Sequence, residues 1–109
     1  MFPAFEYNLK SVMLRDRVHP ICSASIDAAR AWSFGPIRLL FIDAGHSYAD
    51  ARDDYNAWKV HLESDAIVVF HDIDEYPGVT MFYQDLMREG KHNELVAVGS
   101  LRAIQRKTE

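Results

Sequence analysis

The chain has 109 residues, of which 49% are hydrophobic and 26% charged, the balance of one globular domain rather than of a disordered tail or a fibrous repeat. A formal net charge of −4, with 12 Lys and Arg scattered along the sequence, offers no basic stripe to a nucleic-acid backbone or an anionic membrane. Cys22 is the only cysteine, which excludes an internal disulfide and a four-cysteine metal site.

The start, Met1-Phe2-Pro3-Ala4-Phe5-Glu6, lacks the basic residues and apolar run of a signal peptide, and no stretch approaches the ~20 apolar residues of a membrane span. The chain reads as a cytoplasmic single domain over residues 1–109. Phe2, Phe5, Leu9, Val12 and Met13 recur at helical spacing and predict a helix that ends near Arg15-Asp16-Arg17. Val18 to Cys22 predicts a short edge strand, since Pro20 cannot donate to a ladder. Ser25 is placed to cap a helix through Trp32, with Ala28, Ala29 and Trp32 facing inward, and Gly35-Pro36 breaks the chain after it.

Leu39-Leu40-Phe41-Ile42 is apolar without alternation and stops at Asp43-Ala44-Gly45-His46-Ser47, which predicts a strand covered on both faces. From Ser47 to Leu62, Tyr48, Ala51, Tyr55, Trp58 and Leu62 follow a 3.6-residue period, and Asp50, Asp53 and Asp54 sit near the start, where the helix dipole favours them. A turn at Glu63-Ser64-Asp65 leads into Ala66-Ile67-Val68-Val69-Phe70, a second unalternating strand, which stops at His71-Asp72. Pro77 opens another helix with the stripe Val79, Phe82, Tyr83, Leu86 and Met87, closing at Gly90. Leu95 to Val98 and Leu101 to Ile104 flank Gly99-Ser100, the pattern of an antiparallel hairpin. His19, His61 and His92 read as surface residues, Trp32 and Trp58 as core, Cys22 as a buried small side chain, and Asp50, Asp53 and Asp54 as a solvated face.

Two buried strands joined by one helix form a βαβ unit, whose strands run parallel and whose C-terminal ends share one edge of the sheet. If those strands are neighbours, Asp43 and His46 from one end meet His71 and Asp72 from the other, in the crevice where open α/β sheets bind ligands. Ionisable groups gathered there are costly to bury unless paired with each other or with a cation, so a ligand or metal is expected nearby. Capping by Asp43 and solvation of His46 is the plainer alternative.

The run Phe41-Ile42-Asp43-Ala44-Gly45-His46-Ser47-Tyr48, followed by Asp54, Trp58, Leu62, Val69-Phe70-His71-Asp72 and Gly78-Val79, resembles the class I S-adenosylmethionine-dependent methyltransferases related to macrocin O-methyltransferase and the cephalosporin hydroxylase-like proteins. Upstream, Asn8-Leu9, Asp16-Arg17-Val18, Pro20-Ile21 and Ser25 extend the resemblance weakly. It implies a partial Rossmann-like α/β fold: parallel strands with crossover helices and a C-terminal antiparallel hairpin. It further implies that Asp43 and Asp72 hold a divalent cation, usually magnesium, that Ser25 and Asp43 lie at the cofactor, and that His46, or less favourably His71, takes the proton from a substrate hydroxyl.

The sequence departs from the pattern of these relatives in three places. Gly45 stands where they often have a second aspartate, and Glu63-Ser64-Asp65 replaces their proline-glycine-glycine turn. The glycine-rich loop and the acidic residue that hold the rest of the cofactor have no counterpart, so the chain reads as the C-terminal part of such an enzyme. Either Val18 to Cys22 then shifts to pair somewhere new, or the strand edge at Leu39 to Ile42 is covered by another copy of the chain, which predicts a homodimer or swapped assembly. The competing functions are a non-catalytic interaction module built on the same core and a metal-dependent hydrolase using the Asp and His cluster.

Overall fold

The computed structural model of the chain describes residues 21, 23–43 and 45–107; the helix expected over Phe2 to Met13, the strand expected over Val18 to Cys22 apart from Ile21, and the readings of His19 and Cys22 lie outside them. In order, the described elements are α1 (Ser25–Arg30), β1 (Ile37–Ile42), α2 (Tyr48–Lys59), β2 (Leu62–Phe70), α3 (Pro77–Arg88), β3 (His92–Val98) and β4 (Leu101–Arg106). The strands form one sheet in the order β1-β2-β4-β3. β1 and β2 are parallel, as the βαβ pattern requires, while β4 runs antiparallel to both β2 and β3. The mixed α/β architecture, a parallel pair with a crossover helix followed by an antiparallel hairpin, is the one expected from the sequence.

The hydrophobic periods decide which face is covered. Ile42, Val68, Phe70 and Ile104 on one face of the sheet pack with Ala51 and Tyr55 of α2 and Val79, Phe82, Tyr83 and Leu86 of α3. The opposite face differs from expectation: Leu39 and Phe41 are 59% and 50% exposed, so β1 is not covered on both faces. Its unalternating sequence therefore supplies a core face and an apolar outer face. Pairing carries that outer row across the sheet from Phe41 to Val69, Ala103 and Val96.

Helix ends follow local chemistry, with two corrections. Ser47 caps α2 by accepting from the Asp50 amide at 3.0 Å, a contact worth ~1 kcal/mol. Ser25 does not cap α1; it is the first helical residue, Ala24 is the cap, and the Ser25 hydroxyl instead accepts the Trp58 indole N–H at 2.8 Å. α1 also ends at Arg30, short of Trp32. Glu63-Ser64-Asp65 is not the turn before β2 but part of it. The chain reverses at Val60-His61, and the parallel register steps from Ile37↔Leu62 to Leu39↔Ile67, so β2 absorbs the extra residues as an irregularity.

His92 is a further correction. It is 7% exposed rather than a surface residue, because β3 starts beneath α2 and its Nε2 meets the Tyr55 hydroxyl at 3.1 Å. His61 is half-buried, its Nε2 2.7 Å from the Ala29 carbonyl. Trp32 and Trp58 are half-buried as well, in an edge-on contact with ring centres 5.3 Å apart.

Candidate active site

Strand register builds the site. Ile42 pairs with Phe70 at the last rung of the parallel ladder, and the His71 amide donates to the Ile42 carbonyl at 3.4 Å. The next residues of both strands therefore emerge side by side. His71 Nδ1 lies 3.0 Å from Asp43 Oδ1 and 3.2 Å from Asp72 Oδ1, and His46 Nε2 lies 3.4 Å from Asp72 Oδ2. All four of the residues singled out at the strand ends are thus brought together.

Asp72 is the most enclosed of the four, with a side chain 15% exposed against 53% for His46, 40% for His71 and 50% for Asp43. Its backbone has φ +65°, and that of Asp74 has φ +71°. Aspartate tolerates this left-handed region better than most residues, but the conformation still costs about 1–2 kcal/mol. The two bends turn the chain through a compact loop in which the Glu75 and Tyr76 amides both donate to the Asp72 carbonyl.

The C-terminal hairpin holds that loop in place. The Ile73 amide donates to the Ser100 carbonyl at 3.0 Å, and Arg102 Nη2 donates to Asp74 Oδ2 at 3.2 Å. The Asp74 amide donates to Thr80 Oγ1 at 2.8 Å, and that hydroxyl donates to the Tyr76 carbonyl at 2.8 Å. As a result the Tyr76 ring lies flat on the His46 imidazole, with centres 3.7 Å apart and planes 3° from parallel.

Glycine makes the close approach possible. A Cβ on Gly78 would sit 2.5 Å from the Tyr48 amide nitrogen and 2.7 Å from the His46 carbonyl oxygen, so α3 docks on the loop before α2 only with glycine there. Gly45 has φ +126°, and a Cβ on it would fall 2.6 Å from the Asp50 Cβ and carboxylate. A second aspartate at this position would be strained by its backbone and would have to displace the Asp50 side chain.

Ser25 does not join the carboxylate–imidazole cluster. It lines a small cleft of about 200 Å³ together with Leu40, Phe41, Asp43, Asp54 and Trp58, so Asp43 stands between cleft and cluster. Asp54, expected on the solvated face, is part of this wall. The volume is below the ~300 Å³ lower end of small-molecule sites, enough for a portion of a ligand such as a heterocyclic base.

The model of a methyltransferase domain family matches residues 1–73, reaching from the N-terminus through β1, α2 and β2 to the loop that carries Asp72. The chain belongs to this family. In the methyltransferase domain the match therefore takes in Ser25, Asp43, His46, His71 and Asp72, while α3 and the hairpin that brace the loop follow it. Among the described residues, no helix of the domain is long and apolar enough to cross a membrane.

Sequence reasoning missed Tyr76, Asp74 and Arg102. Tyr76 carries one weak signal, an aromatic immediately before the proline that opens a helix. Arg102 carries none, because its role depends on a hairpin folding back to a loop 28 positions earlier.

Proposed function

We propose that the domain transfers a methyl group from S-adenosylmethionine to the hydroxyl of a small molecule or sugar, with His46 as the base. The observation that supports this reading is the convergence of Asp43, His46, His71 and Asp72 at one sheet edge, within the segment matched by the family. The cofactor, when bound, supplies an electrophilic methyl on a sulfonium. The small cleft suits part of it: Phe41 and Trp58 offer apolar walls, and the Ser25 hydroxyl, already accepting from Trp58, keeps its proton to donate.

In this reading His46 would accept the proton of the acceptor hydroxyl, the methyl group being supplied by the cofactor when it is held at the cleft beside Asp43. Asp72 sits 3.4 Å from His46 Nε2, where a carboxylate orients the ring and offsets the charge it gains, and Tyr76 covers one face of it. His71 is less suited to be the base, since its Nδ1 lies within hydrogen-bond distance of both Asp43 and Asp72.

A divalent cation fits the donor set of Asp43, His71 and Asp72, whose ligand atoms lie within 4.8 Å of one another. The carboxylates are the hard donors magnesium prefers, while an imidazole suits zinc, iron or nickel better. A bound cation would polarise the acceptor oxygen, and it would require Nδ1 of His71 to be free of its proton.

Calorimetric titration of S-adenosylhomocysteine into the 109-residue chain, with and without magnesium, tests the reading. Saturable binding weakened by Asp43→Asn supports it. Absence of binding at every protein concentration overturns it for this chain. Hydrolysis that needs a divalent metal and no S-adenosylmethionine would favour instead the metal-dependent hydrolase, a reading the Asp43, His71, Asp72 set also suits.

The partner proposed for the domain is a second copy. β1 lies at one end of the strand order among the described residues, and an open hydrophobic strand edge favours pairing with another chain.

A further inference from the structure

Away from the strand-end cluster, α2, α3 and the adjoining ends of β3 and β4 enclose a cleft of about 920 Å³, within the size range of small-molecule sites. Its charge contrasts with that of the whole chain. Arg52, Lys59, Lys91, Arg106 and Lys107 line it against two carboxylates, Asp85 and Glu89, whereas the protein carries −4 overall.

The acidic side is already partly engaged. Asp85 accepts from the Tyr48 hydroxyl at 2.7 Å and from Arg88 Nη1 at 2.8 Å. Among the cations Arg52 is paired, with Asp53 at 3.0 Å. Lys59, Lys91, Arg106 and Lys107 have no acidic partner within 4.0 Å among the described residues.

Helix termini do not account for this gathering. Lys59 in the last turn of α2, and Lys91 just after α3, complement the negative end of a helix dipole. Arg106 and Lys107 come instead from the end of β4, and Arg52 lies in the first half of α2. A second feature of the wall is His92, 7% exposed, whose Nδ1 is buried without a hydrogen-bond partner among the described residues. Buried polar atoms left unpaired are rare in native structures, and each calls for a strained, functional or ligand-bound explanation.

We infer that this cleft is a second binding site, for a small phosphorylated molecule. Phosphate suits the cations better than a single carboxylate does, because its several oxygens engage two guanidinium forks and the lysine ammonium groups together. Binding would add counter-charge to the cations beyond that given by Asp53, Asp85 and Glu89.

The test is an amide-resolved NMR titration of the 109-residue chain with inorganic pyrophosphate, against sodium chloride at matched ionic strength. Saturable shifts at Arg52, Lys91, His92, Arg106 and Lys107, absent with chloride, are expected. The Arg106→Gln/Lys107→Gln double variant should weaken binding at least tenfold, and Arg38→Gln, outside the cleft, should leave it unchanged. If the double variant fails to fold, the exposed Lys59→Gln serves, with a smaller loss expected. Shifts that chloride reproduces, that do not saturate, or that survive the cleft variants overturn the inference. Asp72→Asn should leave pyrophosphate binding intact, so failure of the methyltransferase reading and failure of this one are distinguishable.

Discussion

Asp72 shows how one residue serves both backbone and site. Its φ of +65° is open to glycine without penalty, while alanine pays the full cost of a Cβ in the left-handed region. Asp72→Ala should therefore be less stable than Asp72→Gly by about 1 kcal/mol, as read from urea denaturation midpoints. Equal stabilities would show that the conformation is not held in solution. Neither variant keeps the carboxylate beside His46 and His71, so the comparison isolates the backbone contribution.

His92 supplies a pH dependence at the same scale. Burial, and then the nearby positive charge of Arg106, hold its imidazole below the ordinary histidine range. The unfolded chain therefore takes up a proton at that residue before the folded chain does. Its contribution is fully present above an unfolded pKa of ~6.5 and is lost as pH falls through the lower folded value, with a slope up to ~1.4 kcal/mol per pH unit. The thermal midpoint should fall between pH 7 and pH 5, and His92→Asn should flatten that fall. An identical slope in the variant would remove His92 as its source.

At the level of elements, the docking of α3 on the loop before α2 depends on Gly78. A methyl group there meets the main chain of His46, Ser47 and Tyr48, which cannot yield as a side-chain end can. Gly78→Ala should destabilise the domain by about 1–3 kcal/mol, measured by chemical denaturation, and shift the amide resonances of His46 and Tyr48. A stability unchanged within error would mean that the two elements are not in contact in solution. The hairpin β3–β4 acts at the same scale, for its turn and Arg102 brace the loop that carries Asp72 and Tyr76.

At the level of the molecule, sheet order decides what is open. β1 ends the described sheet, and its outer face continues through Val69 and Ala103 to Val96. If two copies pair through β1, light scattering should give a mass near 25 kDa, twice the 12.5 kDa of the chain, and Phe41→Lys should shift the equilibrium to monomer. A monodisperse monomer at micromolar concentration for the unaltered chain would count against the pairing.

Much of this architecture was legible in the residues themselves. Strand and helix announce themselves by short-range periodicity, so the segments that become β1, α2, β2, α3 and the hairpin could be read in order, and chain topology alone implied that Asp43 and His71 would share an edge. Long-range register was not legible. That Glu63-Ser64-Asp65 belongs to β2, that His92 lies beneath α2, and that Tyr76 rests on His46 depend on how distant elements pack, and no local pattern encodes that. Charge shows the same division: the sequence determines how many cations the chain carries, but only the tertiary structure sets five of them around one cleft, because electrostatic neighbourhood is a property of space rather than of chain order.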